Sequence, residues 1–212
     1  MDYIRVSASY LYNIQLNENL YFLVKSERRN QYQPVGGCYK YFDEASMFLQ
    51  SIGAIPEKKS NGVDSLMDLR LLVPADCLQE FVDWYQSGLG RETTYDREFN
   101  EEVVQDLVDE KNQQLFDDIK ATKQKEGSFE IFYDEEKQIL TIKPMDIVSI
   151  NLSEAQKQCL KNACYANPEK CIIASREEIE QGYKIVGSQK IKIGSHTKNI
   201  LCEQSQPQNQ KI

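Results

Sequence analysis

The sequence predicts an α/β fold, a mixed sheet flanked by helices, and three observations lead there. From Tyr3 to Leu16 the apolar residues Ile4, Val6, Ala8, Tyr10, Tyr12, Ile14 and Leu16 fall on alternate positions, the period of a half-buried strand. Tyr95, Phe99, Val103 and Leu107 recur every fourth residue, with Val104, Val108 and Leu115 widening the stripe, as on an amphipathic helix. Segments of the two periods then interleave along the 212 residues, as they do when helices cover a sheet.

Taken in order, Asn17-Glu18-Asn19 is a turn, and Leu20, Phe22 and Val24 continue the alternation on a partner strand, giving a hairpin. Pro34 marks the end or edge of a strand, and Gly36-Gly37 permit close backbone approach. Asp43 is expected to cap a short helix to about Ile52, followed by a loop from Gly53 to Asp64 and a strand from Leu66 to Val73. A helix starts at Pro74 or Ala75, carries Leu78, Phe81, Val82 and Tyr85, and ends at Gly88. Thr93 or Thr94 caps the next helix, carried to about Lys120, and Lys123 to Gly127 is a charged break. A second hairpin follows (Phe129–Tyr133 and Ile139–Ile142), turned at Asp134 to Gln138. Ser153 with Gln156 forms a capping box for a helix through Tyr165. Cys171 to Ala174 is a strand, Ser175 caps a helix ending at Gly182, and weak strands run from Gln189 to Ile193 and from Thr197 to Leu201. One domain over 1–202 is expected, with a polar, disordered tail over 203–212.

The bulk composition removes several function classes. The net charge of −8 and the few Lys/Arg clusters argue against a DNA or RNA duplex as ligand. A small anion remains open, because a pocket can be locally basic, and Arg28-Arg29 is one such concentration. No apolar run approaches a membrane span, and the N-terminus alternates rather than forming a signal peptide, so a cytoplasmic protein without direct membrane insertion is expected. Cys38, Cys77, Cys159, Cys164, Cys171 and Cys202 form no CxxC pair and are read as reduced thiols.

The chemistry concentrates in Arg97-Glu98-Phe99-Asn100-Glu101-Glu102. On a helix Glu98, Glu101 and Glu102 stand at i, i+3 and i+4 and share one face, while Phe99 and Val103 turn to the core. Three crowded carboxylates repel, and a divalent cation would relieve them, with hard oxygens suiting Mg²⁺ or Mn²⁺. Arg97 lies four residues before Glu101 and can pair with it. Alone, the trio is equally what an acidic chain places on a solvated face.

Read with the upstream Pro34-Val35-Gly36-Gly37, the helix resembles the Nudix box, in which a Gly pair ends a strand and an R-E-hydrophobic-x-E-E helix follows. The departures are concrete. Cys38 to Arg91 separate the Gly pair from the helix, Glu92 stands three residues closer to Arg97 than the usual upstream glutamate, and Val104 replaces a glycine. With Ile4-Arg5-Val6-Ser7-Ala8-Ser9-Tyr10-Leu11 and Arg29-Asn30-Gln31-Tyr32-Gln33-Pro34-Val35-Gly36-Gly37, the chain is similar to the SMODS-associated Nudix family, found beside oligonucleotide cyclases in bacterial anti-phage (CBASS) loci, over about residues 3 to 201.

The resemblance implies a Nudix-type sandwich with a large insertion over about 38–91. Glu98, Glu101 and Glu102 would be metal ligands, and together with Arg97 they would form the catalytic set. Arg28, Arg29, Tyr32, Gly36, Gly37, Tyr39 and Lys40 would contact a nucleotide. Arg suits bidentate phosphate contacts and Tyr a stacking face, although Tyr is also common at strand edges. Two functions stay open: a sensor or effector that binds a nucleotide, such as a cyclic oligonucleotide, without turnover, and a Mg²⁺-dependent hydrolase of a nucleoside diphosphate linkage. A homo-oligomer is compatible with either. His196 has no nucleophile signature beside it, and Trp84 is read as packing.

Overall fold

A computed structural model describes residues 2–57 and 67–201. The tail 203–212, Cys202, and the part of the expected loop and strand over 58–66 lie outside the described residues.

The N-terminal alternation holds, but it is cut into β1 (Tyr3–Ser7), β2 (Ser9–Asn13) and β3 (Gln15–Asn17), each in a different sheet. Partners change at Ala8, whose N–H donates to Leu69 O (3.0 Å), and at Ile14, whose carbonyl accepts from Phe22 N (3.0 Å). The hairpin partner is β4 (Leu20–Ser26), and β5 (Gln31–Gln33) stops before Pro34. Then come β6 (Gly36–Cys38) and α1 (Asp43–Ser51), which Phe42 caps without a side-chain bond. Asp43 is thus the first helical residue, where its charge faces the helix dipole.

The segment between the Gly pair and the acidic helix is no appendage. It supplies β7 (Ile55–Pro56) and β8 (Arg70–Pro74), and β8 pairs with all five residues of β1. A 3₁₀ turn (Ala75–Cys77) then leads into α2 (Leu78–Ser87), which ends on Gly88 at φ 73°.

The acidic helix departs most from expectation. It opens as α3 (Asp96–Phe99) behind Tyr95, without a threonine cap, and continues as a π-helical turn (Asn100–Gln105). Instead of reaching Lys120 it stops near Leu107, and α4 (Glu110–Gln113) restarts after a break. The expected charged break is a strand, β9 (Ala121–Lys125), exposed along most of its length. β10 (Ile131–Asp134) and β11 (Ile139–Ile142) form the second hairpin. β12 (Met145–Ile150) was not expected; it lies in the middle of its sheet, between β2 and β9.

Both serine capping boxes form, ahead of α5 (Glu154–Ala166) and, after β13 (Cys171–Ser175), of α6 (Arg176–Gln181). β14 (Tyr183–Val186) and β15 (Gln189–Lys192) close a small hairpin. The last expected strand is instead a 3₁₀ segment, Ser195–Ile200.

Among the described residues two of the four sheets are mixed. β1 runs parallel to β11 and β2 to β12, and the other pairings are antiparallel. Two cores lie on opposite faces, which makes the fold a mixed α/β sandwich. Tyr10, Tyr12, Phe22, Val24 and Val148 join the larger core with Phe81, Phe99 and Leu160 from the helices. Their strand neighbours Leu11, Tyr21, Leu23 and Ile147 point into the smaller core with Ile179 of α6 and Ile200. Among the described residues no helix is long and apolar enough to cross a membrane.

Candidate functional site

Strand β6 lies against β2 with Gly37 opposite Tyr10 and Gly36 opposite Leu11. Glycine is required at Gly36, and Gly37 leaves room for a neighbouring side chain. Gly36 has φ +152°, and a Cβ there would collide with Tyr10 O. A Cβ on Gly37 would occupy the space of the Glu98 carboxylate. The Gly pair therefore lets the acidic helix rest its side chains directly on the β6 backbone. Gly36 N–H also points to Glu102 Oε2 at 3.5 Å, the outer limit of a hydrogen bond.

Arg97 organises the helix start. Its Nη1 donates to Glu98 Oε1 (2.5 Å), its Nε to Glu92 Oε1 (3.1 Å), and its Nη2 to Cys38 O (2.9 Å). The expected pair with Glu101 is present but longer, at 3.6 Å. Glu92 is buried; it accepts from Lys40 N (3.1 Å), and its own N–H donates to Lys40 O (2.8 Å). Glu92 thus ties Arg97 to the backbone beyond the Gly pair.

Glu102 is the unusual carboxylate. Burial, with the charges of Glu98 and Glu101 beside it, pushes its pKa up to about 7. Arg97 and the Gly36 N–H act against that rise without cancelling it. Glu101 is half exposed. Among the described residues no three Asp, Glu, His or Cys side chains converge as a preformed metal cage. The donor set is still all hard oxygen with surplus negative charge, which suits Mg²⁺ or Mn²⁺ and not a soft metal. The π-turn under Glu101 and Glu102 is a feature that recurs at functional sites.

The structure brings Gly36, Gly37, Arg97, Glu98 and Glu102 together, and adds the Lys40 backbone through Glu92. Other expected contacts fall elsewhere. Arg28 and Arg29 are exposed on a 3₁₀ turn between β4 and β5. Tyr32 is buried in the smaller core with its hydroxyl donating to Pro168 O (2.8 Å), so its ring offers no stacking face, a correction to that reading. Tyr39 is buried too, and its hydroxyl donates to Asp146 Oδ2 (2.6 Å). His196 has its pKa lowered to about 4, by burial and then by Arg29, and is neutral at physiological pH. Trp84 stacks on Phe48 at 5.4 Å.

Sequence reasoning missed a cavity of about 360 Å³ reached through the segment just before the helix. Tyr39, Tyr85, Tyr95 and Phe129 give it aromatic walls, and Arg91, Lys123 and Asp146 give it charge. Arg91 lies 3.9 Å over the Tyr85 ring and donates to Tyr85 O (2.6 Å) and Glu92 O (2.7 Å). Tyr10 links cavity and helix, since its ring contacts Tyr39 (5.0 Å) and Tyr95 (5.5 Å) while feeling the charges of Glu92, Arg97 and Glu98. The four stretches that build the cavity are far apart in sequence, and no motif joins them.

A family model of the SMODS-associated NUDIX domain matches residues 3–201. No curated protein and no solved structure matches the chain.

Proposed function

The chain belongs to the SMODS-associated NUDIX family, and on that premise we propose that it is a nucleotide-responding sensor or effector of bacterial anti-phage signalling. Its ligand would be a nucleotide or cyclic oligonucleotide, held beside the acidic helix. The observation that carries this reading is the crowding of the Glu98, Glu101 and Glu102 carboxylates on a helix pressed against the Gly pair.

Glu98, Glu101 and Glu102 would hold Mg²⁺ or Mn²⁺. A cation bound there would neutralise phosphate charge and lower the pKa of water. Arg97 would keep Glu98 in place, and Glu92 would keep Arg97 in place, through the contacts already described. Binding without turnover is favoured because the box is altered: Cys38 to Arg91 separate the Gly pair from the helix, and Val104 stands in place of a glycine.

One observation favours the alternative, a hydrolase of a nucleoside diphosphate linkage. A carboxylate with a pKa near 7 is matched to general-base work at neutral pH. The two readings separate by calorimetric titration of mono-, di- and cyclic nucleotides with and without Mg²⁺, followed by product analysis. The Glu101→Gln/Glu102→Gln variant is run in parallel. Binding with intact ligand supports the sensor, and Mg²⁺-dependent product that the variant fails to form supports the hydrolase. No binding and no product would overturn both.

A further inference from the structure

We propose that the aromatic cavity in front of the acidic helix is a nucleobase pocket that selects guanine, with Asp146 as the residue that reads the base. The inference rests on the nucleotide-binding reading above and deepens it. Three features of the cavity lead to it.

The first is size. At about 360 Å³ the cavity is at the lower end of small-molecule pockets, roughly 300–1,000 Å³. It admits one base with its sugar and not a whole oligonucleotide. A cyclic nucleotide could therefore engage it with one base at a time.

The second is the wall chemistry. Tyr85 and Phe129 meet edge to face at 5.4 Å, and Tyr39 and Tyr95 approach within 6.2 Å. Tyr39 and Tyr85 are buried, so the partly exposed Phe129 and Tyr95 are the rings on which a planar base would stack, at about 1–3 kcal/mol per base. Lys123, 40% exposed and paired with Glu126 at 3.0 Å, offers a cation for a phosphate.

The third is the carboxylate. Asp146 is buried and lines the cavity, held from two sides: Tyr39 Oη donates to Oδ2 (2.6 Å) and Gly127 N to Oδ1 (2.8 Å). Gly127 can approach so closely because a side chain there would strike Pro144 and Met145. Each oxygen has accepted one hydrogen bond and retains a second lone pair. A fixed carboxylate with two parallel acceptors matches an edge carrying two adjacent N–H donors. Guanine presents N1–H beside its 2-amino group. Adenine offers one amino group next to a ring acceptor, and uracil one N–H between two carbonyls, both of which place a lone pair against the carboxylate. Asp146 is thus a specificity residue, and the glutamates of the helix would act on the phosphates alone.

The test is calorimetric titration of the full chain with GMP, IMP and AMP in EDTA, so that the metal plays no part. IMP is GMP without the 2-amino group. Wild type should bind GMP about tenfold more tightly than IMP, the worth of one hydrogen bond to a charged acceptor, and AMP more weakly still. Asp146→Asn should erase the GMP–IMP difference. Because that change also touches Tyr39 and Gly127, Phe129→Ala, at the cavity wall, serves as a second variant and should weaken all three ligands together. Equal affinities for GMP, IMP and AMP in wild type would overturn the proposal. So would unchanged GMP binding in both variants with loss of binding in Glu101→Gln/Glu102→Gln, a result that keeps the nucleotide reading and rejects this pocket. If wild type bound none of the panel, with or without Mg²⁺, the nucleotide reading itself would fall and the pocket with it.

Discussion

Arg91 and Arg97 are six residues apart and hold their surroundings together by different physics. Arg97 is surrounded by carboxylates: Glu92 and Glu98 bond it directly and Glu101 stands at 3.6 Å. Arg91 lies over the Tyr85 ring and satisfies two backbone carbonyls. The first region is an electrostatic assembly, in which removing one member strands charges in a half-buried space. The second is an aromatic one, in which each contact is modest and the walls support one another. A phosphate-and-metal site gains from the first arrangement, because its charges are poised for a charged ligand. A base pocket gains from the second, because its surfaces are preformed.

The largest expected effect tests the electrostatic side. Arg97→Ala leaves Glu92 and Glu98 without their cation and should destabilise the protein by about 3–5 kcal/mol in urea denaturation. A loss under 1 kcal/mol would mean that these ions are solvated after all. Glu102→Gln should act in the opposite sense. The folded protein keeps the Glu102 proton to a pH of about 7, against 4.5 for an ordinary glutamate. The folded state therefore binds more protons than the unfolded state across that interval, and stability falls as pH rises through it. In EDTA the wild type should lose about 3 kcal/mol relative to Glu102→Gln between pH 4.5 and pH 7.5. Parallel pH profiles of the two proteins would refute the effect of burial and crowding on Glu102, and added Mg²⁺ should flatten the wild-type slope.

On the aromatic side the numbers shrink. Arg91→Ala should cost about 1–2 kcal/mol, one cation–π contact with two hydrogen bonds. An effect as large as that of Arg97→Ala would collapse the distinction between the two regions. Ser153→Ala provides the smallest shift, about 1 kcal/mol for a lost helix cap far from both. It should leave nucleotide titrations unchanged.

The two regions also differ in how far the sequence exposed them. The acidic helix lies in one short stretch, so its carboxylates, its arginine and its apolar stripe could be read together. What could not be read there was the π-turn and the stop near Leu107, because the stripe continues through Val108 and Leu115 after the backbone has left the helix. The capping box at Ser153 was legible because its partner Gln156 sits three residues on, and Ser175 was legible as a cap. β12 escaped because it is covered on both faces, so Met145–Ile150 shows no alternation and Asp146 interrupts its apolar run. β9 escaped for the opposite reason: at the edge of its sheet it keeps exposed lysines and reads as a break. The cavity depends on both of these strands, and it was lost with them.

The division of the N-terminal segment among three sheets has a consequence for how the protein is born. β1 takes β11 as one neighbour, β2 takes β12, and β4 takes β13, so residues 3–24 are completed only by residues 141–175. At about 5–20 residues per second on the ribosome, the first strands wait roughly 7–30 s for partners that do not yet exist. Pairings of such sequence separation also form slowly once the chain is free. During that interval the strands carrying Tyr10, Tyr12 and Phe22 each lack a neighbour. A premature stop before β11 leaves β1, β2 and β4 each without one of its neighbours.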